Sequence, residues 1–245
     1  MYQFSCESAI FQFTMNQSIT FLVLGCLTMS QYSVSADFAT DLKFGEQKFA
    51  DKSVSNDVWG PGAGYQKMTA TSGSNWCVDC SHGSTGGIKS YPHSSFPVNK
   101  TLGSIKYLTS TFGANVVQKP GILAYAFAYD IWLQHNMYEI MLWMDYCGKV
   151  GALGSPVNNN LTKGGHQWTV YKGTNGANQV FSFLSNQKTS TGRVDVKDIL
   201  DWINLQGWFK TGPATLVDQI QLGFEITSTP PTSKFCLTAF GVTLF

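Results

Sequence analysis

Hydrophobic side chains in the central part of the chain recur at every second position, which is the period of a β-strand. Over residues 124–133, large apolar side chains alternate with small or polar ones, and a second such segment follows at 137–146. The short polar turn at 134–136 between them predicts an antiparallel hairpin. The same period predicts further strands at 105–112, 167–171, 179–184, 219–227 and 235–244, separated by clusters rich in Gly, Asn, Ser and Pro at 151–160, 173–178 and 229–233.

One segment breaks this rhythm with a helical period. Residues 195–205 place four apolar side chains on one helical face: Val196, Ile199, Leu200 and Ile203. Asp195 stands where an N-cap is expected, and Gly207 follows the end of the segment. Many strands and one helix predict an all-β fold, a two-sheet β-sandwich of jelly-roll type with a concave cleft and one packed helix.

The N-terminal region has the pattern of a targeting segment. An apolar run at 19–29 is followed by small residues that end at Ala36, so residues 1–36 are interpreted as a secretory signal peptide and 37–245 as a single domain of a secreted, extracellular protein. Met15 is an alternative start. A lipoprotein signal ending at Cys26, or a buried N-terminal strand or helix, are the other readings of this stretch.

Composition excludes several classes of protein. Charged residues make up only 13% of the chain and the net charge is +1, so no basic surface for nucleic acid is expected. No apolar run reaches the roughly 18 residues of a membrane span. Aromatic residues reach 14%, which together with the high Gly content favours a neutral, turn-rich β protein.

Removal of the signal would leave four cysteines: Cys77, Cys80, Cys147 and Cys236. In an exported protein this even number permits disulfides, and all three pairings remain open. The spacing of Cys77 and Cys80 also fits a structural zinc site, which is the less favoured interpretation because the remaining Cys and His residues are scattered.

Two glutamates interrupt strongly strand-like segments. Strand parity puts Glu139 on a face with Met141, Trp143 and Asp145, opposite the apolar residues of the same segment. Parity likewise separates Glu225 from the apolar face of its segment. The alternative is that both are ordinary solvent-facing strand residues.

Asp130, on the first strand of the hairpin, is expected on the face of Glu139. A sheet face with carboxylates and Trp side chains suits sugar chemistry, because glycosidic bond cleavage needs one acid and one carboxylate, and aromatic rings stack on pyranoses. Three other Trp residues are expected to be plain core: Trp132, Trp202 and Trp208.

Several motifs resemble glycoside hydrolase family 12, the jelly-roll endo-β-1,4-glucanases and xyloglucanases. The similar segments occur in order along the chain: Asn56-Asp57-Val58-Trp59-Gly60, Lys89-Ser90-Tyr91-Pro92, Ala128-Tyr129-Asp130, Glu139-Ile140-Met141-Leu142-Trp143, Trp168 with Tyr171, Gly173 and Asn175-Gly176, and Gly223-Phe224-Glu225. The departures, which bear on substrate preference, are Asp57 in place of an Asn, His93 where an Asn is common, and Ile226-Thr227 in place of Pro-Phe.

The resemblance implies a retaining hydrolase that acts on β-1,4-glucan within the chain. It implies Glu139 as nucleophile, Glu225 as acid/base with a raised pKa, and Asp130 as the residue that orients Glu139. The side chains it implies for substrate binding are Asn56, Trp59, Met141, Trp143 and His93.

The expected partner is a polysaccharide substrate, with no cofactor or metal, and the expected state is a monomer. Two other functions stay open at this point: a non-catalytic jelly-roll carbohydrate-binding protein, and a xylanase of the related family.

Overall fold

The computed structural model describes residues 37–117 and 119–245, so the predicted signal peptide lies outside the described residues. A single α-helix, α1 (Val196–Leu205), and two short 3₁₀ turns, Leu102–Ser104 and Gly212–Ala214, accompany the strands there. The strands are β1 (Phe38–Thr40), β2 (Glu46–Phe49), β3 (Lys52–Ser55), β4 (Tyr65–Ser72), β5 (Asn75–Ser81), β6 (His93–Thr101), β7 (Leu108–Val117), β8 (Ala124–Leu133), β9 (Tyr138–Cys147), β10 (Ser155–Lys163), β11 (His166–Thr174), β12 (Gln179–Ser185), β13 (Thr191–Asp195), β14 (Leu216–Ser228) and β15 (Ser233–Leu244).

The strands form two sheets. One has six strands in the order β1-β4-β5-β15-β7-β13, and the other has nine in the order β10-β11-β12-β9-β8-β14-β6-β3-β2. Neighbours run antiparallel except β12 and β9, which pair in parallel. This arrangement confirms the predicted two-sheet all-β sandwich with one helix.

The hydrophobic core fills the space between the two sheets. Aromatic rings of both sheets meet there: Phe112 contacts Phe127 with ring centroids 6.1 Å apart, and Phe224 contacts Phe235 at 5.3 Å. The predicted core faces of β9 and β14 are confirmed, because Tyr138, Ile140, Leu142, Met144, Ile220, Leu222, Phe224 and Ile226 all belong to this core. The opposite face of the nine-stranded sheet is therefore free to line a cleft.

The helix packs its apolar face onto the sandwich as the sequence predicts. The Asp195 side chain accepts a hydrogen bond from the Asp198 backbone N–H at 3.1 Å, which is an N-cap. All four predicted apolar residues of the helix are buried. Trp202 and Trp208 pack, partly buried, against the core, in agreement with their predicted role.

The segment 151–160, predicted as a turn-rich connection, contains the first six of the nine residues of β10. This strand lies at the edge of the nine-stranded sheet, and its pairing with β11 is interrupted by two register shifts. An edge strand tolerates Pro156 and a run of Asn because one side of its backbone needs no partner. The polar composition of this segment therefore did not indicate that it forms a strand.

A β-bulge in β9 inverts strand parity near its end. Trp143 pairs with Ala128, but Asp145 pairs with Phe127, so Met144 is an extra residue. Asp145 turns toward the core side, where its Oδ2 accepts a hydrogen bond from the Tyr125 hydroxyl at 3.0 Å. The expectation that Asp145 shares a face with Glu139 is wrong for this reason.

A disulfide joins Cys77 of β5 to Cys236 of β15, which are direct cross-strand partners. Cys80 is buried, and its burial raises the pKa of the thiol to about 12. The zinc interpretation of the Cys77 and Cys80 pair is wrong, because the Cys77 sulfur is already bonded to Cys236.

Within the described residues, none of the helical segments has the length and apolar character that crossing a membrane requires.

Candidate active site

The site is a cleft on the outer face of the nine-stranded sheet, at its central strands β9, β8 and β14. Ala128 of β8 lies opposite Gly223 of β14, and Ala126 is two residues away from Ala128 along β8; these small residues on the cleft face give the cleft its depth. A Cβ at Gly223 would stand 2.1 Å from the Pro92 carbonyl oxygen, so the approach of β14 to β6 requires glycine there. The resulting cavity has a volume of about 710 Å³.

Three acidic side chains enter this cavity from the three central strands. Glu139 on β9 is opposite Trp132 of β8, and Glu225 on β14 is opposite Ala126 of the same strand. Asp130 of β8 occupies a row between these two, and all three line the cavity. The structure therefore brings together the three residues that strand parity assigned to one face.

Burial and mutual repulsion raise the pKa values of these carboxyls. Burial raises the pKa of Glu139 to about 7. Burial, and after it the charge of Glu139, raises the pKa of Glu225 to about 8. Burial and the charges of Glu139, Glu225 and Asp57 hold the pKa of Asp130 well above its usual range. Each carboxyl thus favours its protonated form, and Glu225 holds its proton more firmly than Glu139.

Among the described residues, hydrogen bonding within the acidic group is sparse. Asp130 is 7% exposed, and its Oδ1 has no hydrogen-bond partner. The Asn175 amide nitrogen lies 3.5 Å from Glu139 Oε2, at the outer limit of a hydrogen bond. In this state no hydrogen bond joins the described side chains of Asp130 and Glu139.

Aromatic and amide side chains form the walls of the cleft. Trp59 is 51% exposed, whereas Met141 and Trp143 are nearly buried at the cavity surface. The Trp132 indole N–H donates to Gln221 Oε1 at 3.1 Å, and both side chains line the cavity. The prediction that Trp132 is plain core is wrong, because its place in β8 puts it on the cleft face beside Glu139.

Asn56 does not reach the cavity, which corrects its predicted role in substrate binding. It is fully buried; its amide nitrogen donates to the Leu42 carbonyl at 3.0 Å, and its Oδ1 accepts from the Gln66 amide at 3.0 Å. The next residue, Asp57, enters the cavity instead. Asn56 therefore holds the wall in place from behind.

His93 lines the cavity on the same wall, as predicted. Its ring stacks on Tyr91 with centroids 4.9 Å apart, and its Nδ1 lies 2.7 Å from the Tyr91 carbonyl oxygen. The Tyr91 hydroxyl donates to the Ala128 carbonyl at 3.1 Å, which ties this wall to the cleft floor.

Sequence reasoning assigned no role to several other lining residues. The connection between β9 and β10 contributes Gly151, Ala152 and Leu153 to the cavity lining. The turn between β8 and β9 contributes Asn136, and the turn between β11 and β12 contributes Asn175. Asn175 belongs to the segment of Trp168, Tyr171 and Gly173 that resembles the family, but the connection at 151–153 carries no motif that indicates its position.

The groove crosses a mainly antiparallel sheet, has small residues at its floor and Trp and amide side chains in its walls, and contains paired carboxyl groups. These features are typical of a β-sandwich protein that cleaves or binds a chain of sugars. Comparison with known proteins makes this specific. The sequence model of "Glycosyl hydrolase family 12" matches residues 50–244, and the chain belongs to that family. The resemblance noted in the sequence is therefore confirmed, and with it the class of reaction, glycoside hydrolysis.

Two relatives illustrate the match. A probable xyloglucan-specific endo-β-1,4-glucanase A of Aspergillus terreus is 30% identical over 226 residues, which cover 81% of this chain and 84% of the relative. The solved xyloglucanase domain of NopAA, a type three effector from Sinorhizobium fredii in complex with cellobiose, is 35% identical with a TM-score of 0.79, covering 85% of this chain and 99% of that domain.

Proposed function

We propose that this protein is an endo-acting hydrolase of β-1,4-glucans that retains the anomeric configuration, with Glu139 as nucleophile and Glu225 as acid/base. The observation that carries the proposal is the entry of both glutamates into one cavity, with the charge of Glu139 contributing to the raised pKa of Glu225. A pair of carboxyls about 5–5.5 Å apart is what the retaining reaction requires.

In the first step the Glu139 carboxylate forms a bond to the anomeric carbon as the glycosidic C–O bond breaks. Glu225 gives its proton to the departing oxygen, so the leaving sugar departs neutral. In the second step Glu225, now a carboxylate, takes a proton from water while the water oxygen bonds to the anomeric carbon. The bond to Glu139 breaks, and both glutamates return to their starting states.

The order of the two pKa values supports this assignment of roles. The group with the higher pKa is the one that holds a proton when the other has ionised, and that group is Glu225. Asp130 lies between them and stays protonated, so it adds no further charge and has a hydroxyl to offer the nucleophile.

Action within a polysaccharide chain requires a groove that continues on both sides of the carboxyls. On one side the half-exposed Trp59 offers a stacking surface. A second cavity of about 210 Å³ shares Trp143 and Glu225 with the main cavity and extends to Lys149 and Thr227. The open course of the groove favours endo action.

The relatives' names make xyloglucan the first glucan to test. A secreted, extracellular monomer, released by cleavage of the signal after Ala36, completes the proposal. The apolar run and the small residues that end at Ala36 support the export signal.

The proposal is tested by reducing-sugar release from xyloglucan, barley β-glucan, carboxymethylcellulose and xylan, with the product anomer followed by NMR. Glu139→Gln and Glu225→Gln are each expected to lower kcat by about 10²–10⁴-fold or more while the fold and oligosaccharide binding remain. Asp201→Asn on the outer face of α1, where Asp201 pairs with Lys197, is the matched control and should match the parent.

Equal turnover by both Gln variants, or an inverted product, would contradict the assigned mechanism. Faster cleavage of xylan than of any glucan would identify a xylanase instead. Oligosaccharide binding without any hydrolysis would identify a carbohydrate-binding protein.

A further inference from the structure

Lys89 is a buried lysine beside the cleft, and the described residues give it no carboxylate partner. It is 0% exposed. Its Nζ donates hydrogen bonds to the Gly86 carbonyl oxygen and, at 3.0 Å, to the Gly87 carbonyl oxygen. No acidic side chain of residues 37–117 and 119–245 forms an ion pair with it. Because a buried ammonium needs polar groups in place of the water it has lost, these two carbonyl groups make its burial possible.

A buried polar cluster next to Lys89 is neutral and adds no negative charge. His82 Nε2 and Ser90 Oγ lie 3.0 and 2.8 Å from Gln66 Oε1. The Gly64 backbone N–H donates to His82 Nδ1 at 3.1 Å, so the ring carries its proton on Nε2. Burial, and after it the charge of Lys89, lowers the pKa of His82 to about 4, which keeps the ring uncharged at neutral pH. The ammonium of Lys89 therefore depends on the carbonyl groups that it binds.

Those carbonyl groups belong to residues 83–87, here called the Gly-rich loop, all of which are exposed. Within the described chain, the two hydrogen bonds from Lys89 Nζ are the only ones that join this loop to other residues. Gly86 and Gly87 have φ values of 76° and 69°, and a Cβ at either position would meet no atom within 4 Å. They are glycines because of backbone conformation and not because of close packing. The place of the loop therefore depends on Lys89.

The backbone of Lys89 is joined to the strand that carries Glu225. The Lys89 N–H donates to the Ile226 carbonyl oxygen at 2.7 Å, and the Ile226 N–H donates to the Ser90 carbonyl oxygen at 3.0 Å. Ile226 is the residue after Glu225 on β14. The lysine thus has a fixed backbone beside Glu225 and a side chain that reaches the Gly-rich loop.

The loop borders the cavity in which a leaving sugar would lie. Gly87 and Ile88 line the second cavity of about 210 Å³ together with Glu225. Glu139 and Trp59 line the main cavity and not this one. Since the acid/base has to reach the oxygen of the departing sugar, a cavity that includes Glu225 without Glu139 suits that sugar.

We propose that Lys89 is a positioning residue for the leaving-group side of the cleft, whose buried ammonium holds the Gly-rich loop where it can contact the sugar beyond the scissile bond. This inference rests on the proposed hydrolase function for its ligand. Lys89 itself lines neither cavity, so it acts through the loop and does not touch the substrate.

The first test follows the loop itself and needs no substrate. Lys89→Met removes the ammonium and keeps a long side chain, whereas Lys89→Arg keeps a cationic donor. In the full chain, the ¹⁵N heteronuclear NOE of residues 83–87 should fall in Lys89→Met and stay near the parent value in Lys89→Arg. Lys197→Met is the matched control, because Lys197 is also mostly buried and bonded, at 2.6 Å to Asp201, but lines neither cavity.

The second test compares two substrates that differ in the leaving group. Cellohexaose places sugars on both sides of the scissile bond, whereas 4-nitrophenyl β-cellotrioside needs no sugar in the second cavity. Lys89→Met is expected to raise KM for cellohexaose about tenfold and to change kcat/KM for the aryl substrate less than about twofold. Lys89→Arg should restore most of the cellohexaose KM, and Lys197→Met should match the parent on both substrates.

Gly86→Ala disturbs the loop without changing the buried lysine, because alanine is strained at this φ and the position is exposed. It should raise the cellohexaose KM by a smaller factor and spare the aryl substrate. This variant keeps the comparison decisive if Lys89→Met does not fold.

A Gly-rich loop that is equally ordered in Lys89→Met and in the parent would refute the tether, whether or not the parent cleaves glucan. Equal losses on both substrates, or no loss on either, would refute the leaving-group role. A parent that cleaves neither substrate, while Lys89→Met loosens the loop, would overturn the hydrolase proposal and support the tether.

Discussion

Glu139 and Glu225 are chemically identical side chains that the fold makes unequal. Both lose solvent on entering the cleft, but only Glu225 has its pKa raised further by the charge of the other. Because the two carboxyls interact, they titrate as a pair in two steps, and Glu225 is the member with the higher pKa. The different positions of the two glutamates in the cleft are therefore enough to assign the acid role to Glu225 and the nucleophile role to Glu139.

This division predicts a bell-shaped dependence of kcat/KM on pH. Activity should rise as Glu139 ionises near pH 7 and fall as Glu225 loses its proton near pH 8. Removal of the Glu139 charge in Glu139→Gln should lower the pKa of Glu225, because burial then acts without repulsion. Carbon-13 NMR titration of the carboxyl groups measures this directly.

Asp201→Asn serves as the control for that titration and should leave the pKa of Glu225 where it is. A Glu225 pKa that is equal or higher in Glu139→Gln than in the parent would show that the two carboxyls do not interact.

Side chains that strand parity places on the cleft face could be found from the sequence, and those that depend on loops could not. Glu139, Glu225 and Asp130 sit inside regular strands, where alternation fixes the face. Asn56 and Asp57 lie beyond the end of β3, where no period tells which of two neighbours turns outward. The left-handed backbone conformation of Asp57 determines that its side chain, and not that of Asn56, enters the cavity. The sequence gives no sign of this conformation.

At the scale of elements, helix α1 depends on a single side-chain cap. Asp195→Ala removes the acceptor for the Asp198 backbone N–H and should lower the free energy of unfolding by about 1 kcal/mol. Urea denaturation measures the loss. Asp201→Ala, which removes only the partly exposed pair with Lys197, should cost about 0.3–0.5 kcal/mol.

An Asp195→Ala variant that unfolds at the same urea concentration as the parent would show that packing of the helix alone sets its start. The buried face of the helix, not the cap, would then be its dominant support.

Elements with strong alternation were predictable, and elements with polar or small residues were not. The hairpin of β8 and β9 was found almost residue for residue, because its inward positions are large and apolar. β4 also alternates between exposed and buried positions, yet its buried positions are Gln66, Met68 and Ala70, a weak hydrophobic signal. The bulge at Met144 has no signal in composition and appears only through pairing with β8.

For the whole molecule, the acidic cleft costs stability at neutral and higher pH. The folded pKa of Glu225, about 8, lies above its value of about 4.3 in an unfolded chain, so the folded state binds this proton more tightly. Its contribution to stability is full below about pH 4.3 and is lost as pH rises through 8. Glu139 acts in the same sense.

Glu225→Gln should therefore raise the free energy of unfolding relative to the parent at pH 8, with the difference shrinking toward pH 5. Urea unfolding of both proteins at pH 5, 6.5 and 8 measures this. His82 and His93 have lowered pKa values and act in the opposite sense below about pH 6.5, so the comparison uses the difference between the two proteins. A difference that does not change with pH would exclude the cleft as the source.

The unequal exposure of the indole rings gives the protein a built-in optical reporter. Trp59 stands 51% exposed in the cleft, whereas Trp76 and Trp168 are 1% and 0% exposed in the core. A sugar that settles on Trp59 removes water from one ring and leaves the core rings untouched. Fluorescence emission should then shift to shorter wavelength in proportion to occupancy, so that an unlabelled sample can be titrated with oligosaccharide by light alone.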